Sequence, residues 1–74
     1  MNFTELYQLL EEWVWYDDIR CFRQPVRMRL TGITVRKPEG KYRLSCELTD
    51  TRGATYIVKA ENIRKQVQSE ENNG

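Results

Sequence analysis

Histidine is absent from the 74-residue chain, and with it the side chain that most readily serves as a general base near neutral pH. Two cysteines, Cys21 and Cys46, cannot complete a tetrahedral metal site without carboxylates or a second chain. No apolar run approaches the ~20 residues that span a bilayer, so no membrane crossing is expected. The first residues lack the basic and apolar regions of a secretory signal, and a cytoplasmic location is expected. There both thiols are expected to be reduced and buried rather than joined. Glycine is scarce, and Gly32, Gly40 and Gly53 stand alone rather than forming a phosphate-cradling loop. No Ser, Cys or Lys sits in an activating context for nucleophilic attack. The adjacent pairs Glu11–Glu12 and Asp17–Asp18 would point about 100° apart on a helix and could not converge on one reacting atom. A non-enzymatic protein, with no cofactor and no small-molecule substrate, is expected.

The charge is nearly balanced at +1 but unevenly spread. Residues 1–18 carry Glu5, Glu11, Glu12, Asp17 and Asp18 and no Lys or Arg. Residues 19–60 carry ten basic side chains against Glu39, Glu47 and Asp50. Many of the basic groups are Arg, which suits bidentate pairing with phosphate or carboxylate.

Asn2 is a good helix N-cap, and Glu5 three residues later completes the spacing of a capping box. Met1 and Leu6 fall at the positions of a hydrophobic staple. Phe3, Leu6, Tyr7, Leu10, Trp13 and Val14 recur at three-and-four spacing, which predicts an amphipathic helix from Phe3 to about Tyr16. On that reading Trp13 is buried, and Asp17–Asp18 is the helix exit. The segment through Gln24–Pro25 reads as a connection, because Pro disfavours helix before it and donates no ladder bond.

From Val26 the period becomes two. Val26, Met28 and Leu30 alternate with Arg27, Arg29 and Thr31, the phase slips at Thr31–Gly32, and Ile33 and Val35 resume it. A one-residue slip on glycine predicts a β-bulge or sharp bend. Lys37–Gly40 and Asp50–Gly53 read as turns. They bracket a clear strand over Tyr42–Thr49 and lead into another over Ala54–Lys59. Ala60–Asn62 suits a 3₁₀ turn, while Ile63 and Val67 fit helix and strand equally.

These elements predict an α+β, mainly β chain: one domain over residues 1–68 and a polar tail over 69–74. The sheet is antiparallel, and an SH3-like bent barrel is favoured over an open three-stranded meander because closure removes exposed edges. The order of a helix ahead of a bent five-stranded barrel is similar to that of Sm-like RNA-binding proteins. That family's Gly and Asp/Asn signatures are missing from the bent strand, and no family is assigned.

Two binding readings follow. In the first, the Trp/Tyr-rich end of the helix is a protein interface, made of Trp15, Tyr16, Arg20 and Phe22, with Ile57 on the outward phase of its strand. Trp, Tyr and Arg dominate interface hot spots, and an acidic helix beside a basic sheet could also pair two copies. In the alternative reading, Arg27, Arg29, Arg43 and Lys59 form a basic sheet face for nucleic acid. Against these stand two plainer accounts. In one Trp15 packs over the first strand to enlarge a small core, and in the other the Arg residues guard strand edges or pair with the acidic helix.

Overall fold

A computed structural model describes residues 1–65. It is mainly β: one antiparallel five-stranded sheet, curled into half a barrel, with a short N-terminal helix. The helix, α1, spans Phe3–Gln8. The strands are β1 (Trp13–Tyr16), β2 (Val26–Arg36), β3 (Arg43–Thr49), β4 (Thr55–Lys59) and β5 (Ile63–Arg64), in the spatial order β4-β3-β2-β1-β5.

The capping box forms as the sequence implies. The Asn2 carboxamide oxygen accepts from the Glu5 backbone N–H at 2.9 Å, and the Glu5 carboxylate accepts from the Asn2 N–H at 3.0 Å. The helix is much shorter than its apolar spacing predicts, ending at Gln8 instead of near Tyr16. Glu11 takes a left-handed φ of 72°, which breaks the helical path. Its N–H then donates to Leu30 O at 2.7 Å, while Leu30 N–H donates to Glu12 O at 2.9 Å. The chain is thereby handed from helix to sheet ladder. Trp13–Val14–Trp15–Tyr16 is a run of aromatic and β-branched residues, which fits a pleated surface better than a helix. Its pairing with Val26–Arg29 satisfies the backbone groups that a longer helix would have used.

The bend in β2 is where the sequence puts it. Leu30 pairs with Leu48 and Gly32 with Glu47, so Thr31 is the extra residue of a bulge. A Cβ on Gly32 would lie 3.2 Å from the Glu47 Cβ, so this approach of β2 to β3 favours glycine. The Thr31 hydroxyl donates to the Glu47 carboxylate at 2.7 Å. The β3–β4 turn is held by Asp50, whose carboxylate accepts the backbone N–H groups of Arg52 and Ala54 at 2.8 and 3.0 Å.

The core comprises Leu6, Val14, Tyr16, Met28, Leu30, Cys46, Leu48, Ala60 and Ile63. It collects inward side chains of β1, β2, β3 and β5 with Leu6 of the helix and Ala60 of the 3₁₀ turn, while Tyr56 and Val58 of β4 pack against it half-buried. Five strands replace the three of the open meander, because residues 13–16 add a strand beside β2 and residues 63–64 add another beside β1. Ala60–Asn62 forms the expected 3₁₀ turn, and Ile63 belongs to a strand. Val67 and the polar segment 69–74 lie outside the described residues. Among the described residues no helix is long and apolar enough to cross a membrane.

Cys46 is buried as expected, but Cys21 is exposed, and both are free. Cys21 lies in the β1–β2 connection, outside the inward phase of any strand. Burial pushes the Cys46 thiol above its ordinary pKa.

Candidate binding face

Because residues 13–16 are a strand, their side chains alternate across the sheet. Val14 and Tyr16 point into the core, while Trp13 and Trp15 point outward. Trp13 is 37% exposed instead of buried, a correction that follows directly from the change of period. Strand register sets Trp13 opposite Arg29 and Trp15 opposite Arg27. The Arg29 guanidinium carbon lies 5.2 Å from the Trp13 ring centroid, and that of Arg27 lies 5.7 Å from the Trp15 centroid. Both distances are within cation–π range. On the other flank Trp15 pairs with Arg64 of β5, whose guanidinium donates to the Glu61 carbonyl at 2.6 Å.

Following the same phase outward along every strand reaches Arg27, Arg29, Arg36, Arg43, Lys59 and Arg64, all exposed, against the single carboxylate of Glu47. Glu47 is already engaged by Thr31. Among the described residues the one ion pair is Arg20–Asp18. The acidic N-terminal segment therefore does not neutralise the sheet by direct pairing. Two shallow concavities of about 280 and 260 Å³ border Trp13, one with Arg27 and Thr51, the other with Arg29 and the β3–β4 turn.

The residues singled out for a protein interface do not form one surface. Trp15 is half-buried on the outer face, and Ile57 is 71% exposed on edge strand β4, three strands away. Tyr16 is 5% exposed, so it is a core side chain and not a surface one. Phe22 is half-buried and makes edge-to-face contacts with Tyr16 and Tyr56, at 6.0 and 6.4 Å between centroids. Arg20 is exposed but pinned to Asp18. The nucleic-acid set divides in two: Arg27 and Arg29 share the Trp end of the face, while Arg43 and Lys59 line a separate groove at the far end of β3.

Asp18, which the helical periodicity puts at a helix exit, is instead a buried polar centre. Its carboxylate accepts from the Arg20 backbone N–H at 3.0 Å, the Arg20 Nε at 3.1 Å and the Tyr16 hydroxyl at 3.0 Å. The Asn62 amide reaches it at 3.5 Å from the 3₁₀ turn. The Arg20 side chain foremost, with further help from the Arg20 N–H and Tyr16, lowers its pKa from 3.8 to about 2. Burial, then the contacts with Cys21 and Asp18, pushes the Tyr16 phenol above its ordinary value. The Asn62 contact ties the β1–β2 connection to the 3₁₀ turn before β5, while the Tyr16 and Arg20 contacts hold the connection itself. Among the described residues no three potential metal ligands converge.

Compared with protein-family models, with curated proteins and with solved structures, the chain matches none.

Proposed function

We propose that this chain is a non-enzymatic binding module of SH3-like small-barrel type, and that its outer sheet face receives single-stranded nucleic acid. The bend of β2 at the Thr31 bulge and the 3₁₀ turn before β5 support the barrel reading. One observation carries the ligand: the two cross-strand Trp–Arg pairs, Trp13–Arg29 and Trp15–Arg27, lie on the outer face with all but the half-buried Trp15 exposed, and no ion pair neutralises that face among the described residues. Single-strand binders combine a cationic track for the backbone with aromatic rings on which bases stack. The indoles supply the rings and the guanidinia supply the charge, side by side on rigid strands.

Both tryptophans of the chain lie on this face, so intrinsic fluorescence reports on the site directly. Titration with oligothymidylate at low salt is expected to quench it saturably, and added salt is expected to reverse the quenching. An Arg27→Glu/Arg29→Glu variant that stays folded is expected to lose the response. Absence of binding at low salt refutes the reading, and binding without any change in Trp emission moves the site elsewhere.

A second reading, a protein partner or a second copy of the chain, is favoured by Ile57, an exposed apolar side chain on edge strand β4. Light scattering over a range of concentrations tests self-association, and a strict monomer removes it.

A further inference from the structure

The groove lined by Arg43 and Lys59, at the other end of β3 from the Trp pairs, has a composition of its own. It is an open groove of about 510 Å³ between the start of β3 and the 3₁₀ turn, a volume within the range of small-molecule sites, roughly 300–1,000 Å³. Met1, Leu44 and Ala60 give it apolar surface, and Tyr42 adds an aromatic ring. Tyr42 is 72% exposed, with the Lys37 ammonium 5.1 Å from its ring centroid.

Its charges are placed by register. Lys59 lies directly opposite Ser45, and Arg43 is two residues along β3 on the same outward phase. Such diagonal neighbours have Cα atoms about 7–8 Å apart, a separation two long cationic side chains can close around one phosphate. Neither Arg43 nor Lys59 has a carboxylate partner among the described residues. Glu61 also lines the groove, and its charge disfavours a second or third phosphate.

We propose that this groove binds one nucleoside monophosphate unit, its base against Leu44, Met1 and Tyr42 and its phosphate between Arg43 and Lys59. The site shares a class of ligand with the outer face, and in that respect rests on the reading above, but it uses different residues. Along β3 it lies about 20 Å from Thr49 at the Trp13–Arg29 end, at roughly 3.3 Å per residue. A free mononucleotide can therefore occupy it alone, and a longer strand can reach it from the Trp pairs.

The test is an amide chemical-shift titration of the intact chain with AMP, and separately with adenosine and with inorganic phosphate. AMP is expected to shift the amides of residues 42–45 and 59–61 saturably, with adenosine and phosphate each weaker by about tenfold or more, since each forfeits one class of contact. Arg43→Gln and Lys59→Gln, shown by their spectra to be folded, are each expected to weaken AMP by about tenfold. Both should leave unchanged the Trp quenching by an oligonucleotide of about four residues, the short end of single-strand site sizes. Phosphate binding as well as AMP would make this an anion patch with no base site and overturn the proposal. So would shifts centred on residues 13–15 and 27–29, or no binding at all. Loss of oligonucleotide quenching with AMP binding intact would instead remove the outer-face reading and keep the groove.

Discussion

Charge and stacking at the Trp end can be separated, because they respond differently to salt. Arg27, Arg29 and Arg64 flank the two indoles. If each neutralises one phosphate of a single strand, the slope of log K against log salt is about −2, at about 0.7 per contact. Affinity then falls about 18-fold between 50 and 200 mM salt. Arg27→Gln/Arg29→Gln leaves one contact and a slope of about −0.7, so the same change of salt weakens binding only about 2.6-fold. Trp13→Ala removes a stacking surface instead. It is expected to weaken binding by about 1–3 kcal/mol, roughly 5- to 150-fold, at every salt concentration and to leave the slope unchanged. The assay is fluorescence anisotropy of an end-labelled oligothymidylate, with circular dichroism of each variant confirming its fold. Trp13 lies outside the buried core, so the variant should remain folded. A slope unaltered by the double Arg substitution, or a slope that changes with Trp13→Ala, would refute the assignment of charge to the guanidinia and stacking to the indole.

Other perturbations test the frame that holds the face. Leu30 is fully buried on β2 next to the bulge, and Leu30→Ala is expected to cost about 2–5 kcal/mol. A domain of this size has about 4–11 kcal/mol in total, so the urea midpoint should fall steeply; a loss under about 1 kcal/mol would contradict the core assignment. Asn2→Ala removes the capping box and should cost about 1 kcal/mol by the same measurement, with no change meaning that α1 adds nothing to the fold. The folded-state pKa of Asp18 is depressed to about 2 from 3.8. Its ionised form thus stabilises the fold fully above the ordinary carboxylate range, and that contribution disappears as the pH falls toward 2. Thermal midpoints measured from about pH 5 to about pH 2 should therefore drop more for the native chain than for Asp18→Asn. Parallel curves would show that the Arg20 and Tyr16 contacts do not favour the charged carboxylate.

The strands from Val26 onward are legible because their signals are local. The alternation of Val26–Leu30, its slip at Gly32 and the Asp50–Gly53 turn each lie within a few residues, and β2, the bulge and the turn appear where those signals place them. The stretch from Leu10 to Tyr16 is different, since it satisfies two periods at once. Leu10, Trp13 and Val14 continue a helical stripe from Phe3, while Val14 and Tyr16 alternate with Trp13 and Trp15 as a strand does. The deciding contribution is the ladder to residues 26–29, a long-range pairing that no local window contains. The same ambiguity hid Asp18, which becomes a buried anchor only when Tyr16 points inward beside it.

The candidate site was half visible for the same reason. The alternation of their own strand places Arg27 and Arg29 outward, but a helical Trp13 belongs to the core and a helical Trp15 to an ill-defined flank. Once residues 13–16 pair with β2, the pattern Trp-x-Trp faces the pattern Arg-x-Arg across the ladder. The outward phases of two adjacent strands then present aromatic and cation alternately. That match of two short patterns was the available signal, and it needed the strand assignment before it could be seen. It also changes the weight of the acidic N-terminal segment. An acidic helix reaching Tyr16 could have lain along the sheet and neutralised its Arg residues. With a helix that ends at Gln8, Glu11 and Glu12 sit in the turn before β1, and Asp18 is occupied by Arg20. The charge separation visible in the sequence is thus not cancelled by direct ion pairing with the sheet among the described residues, which is the condition that the proposed anionic ligand requires.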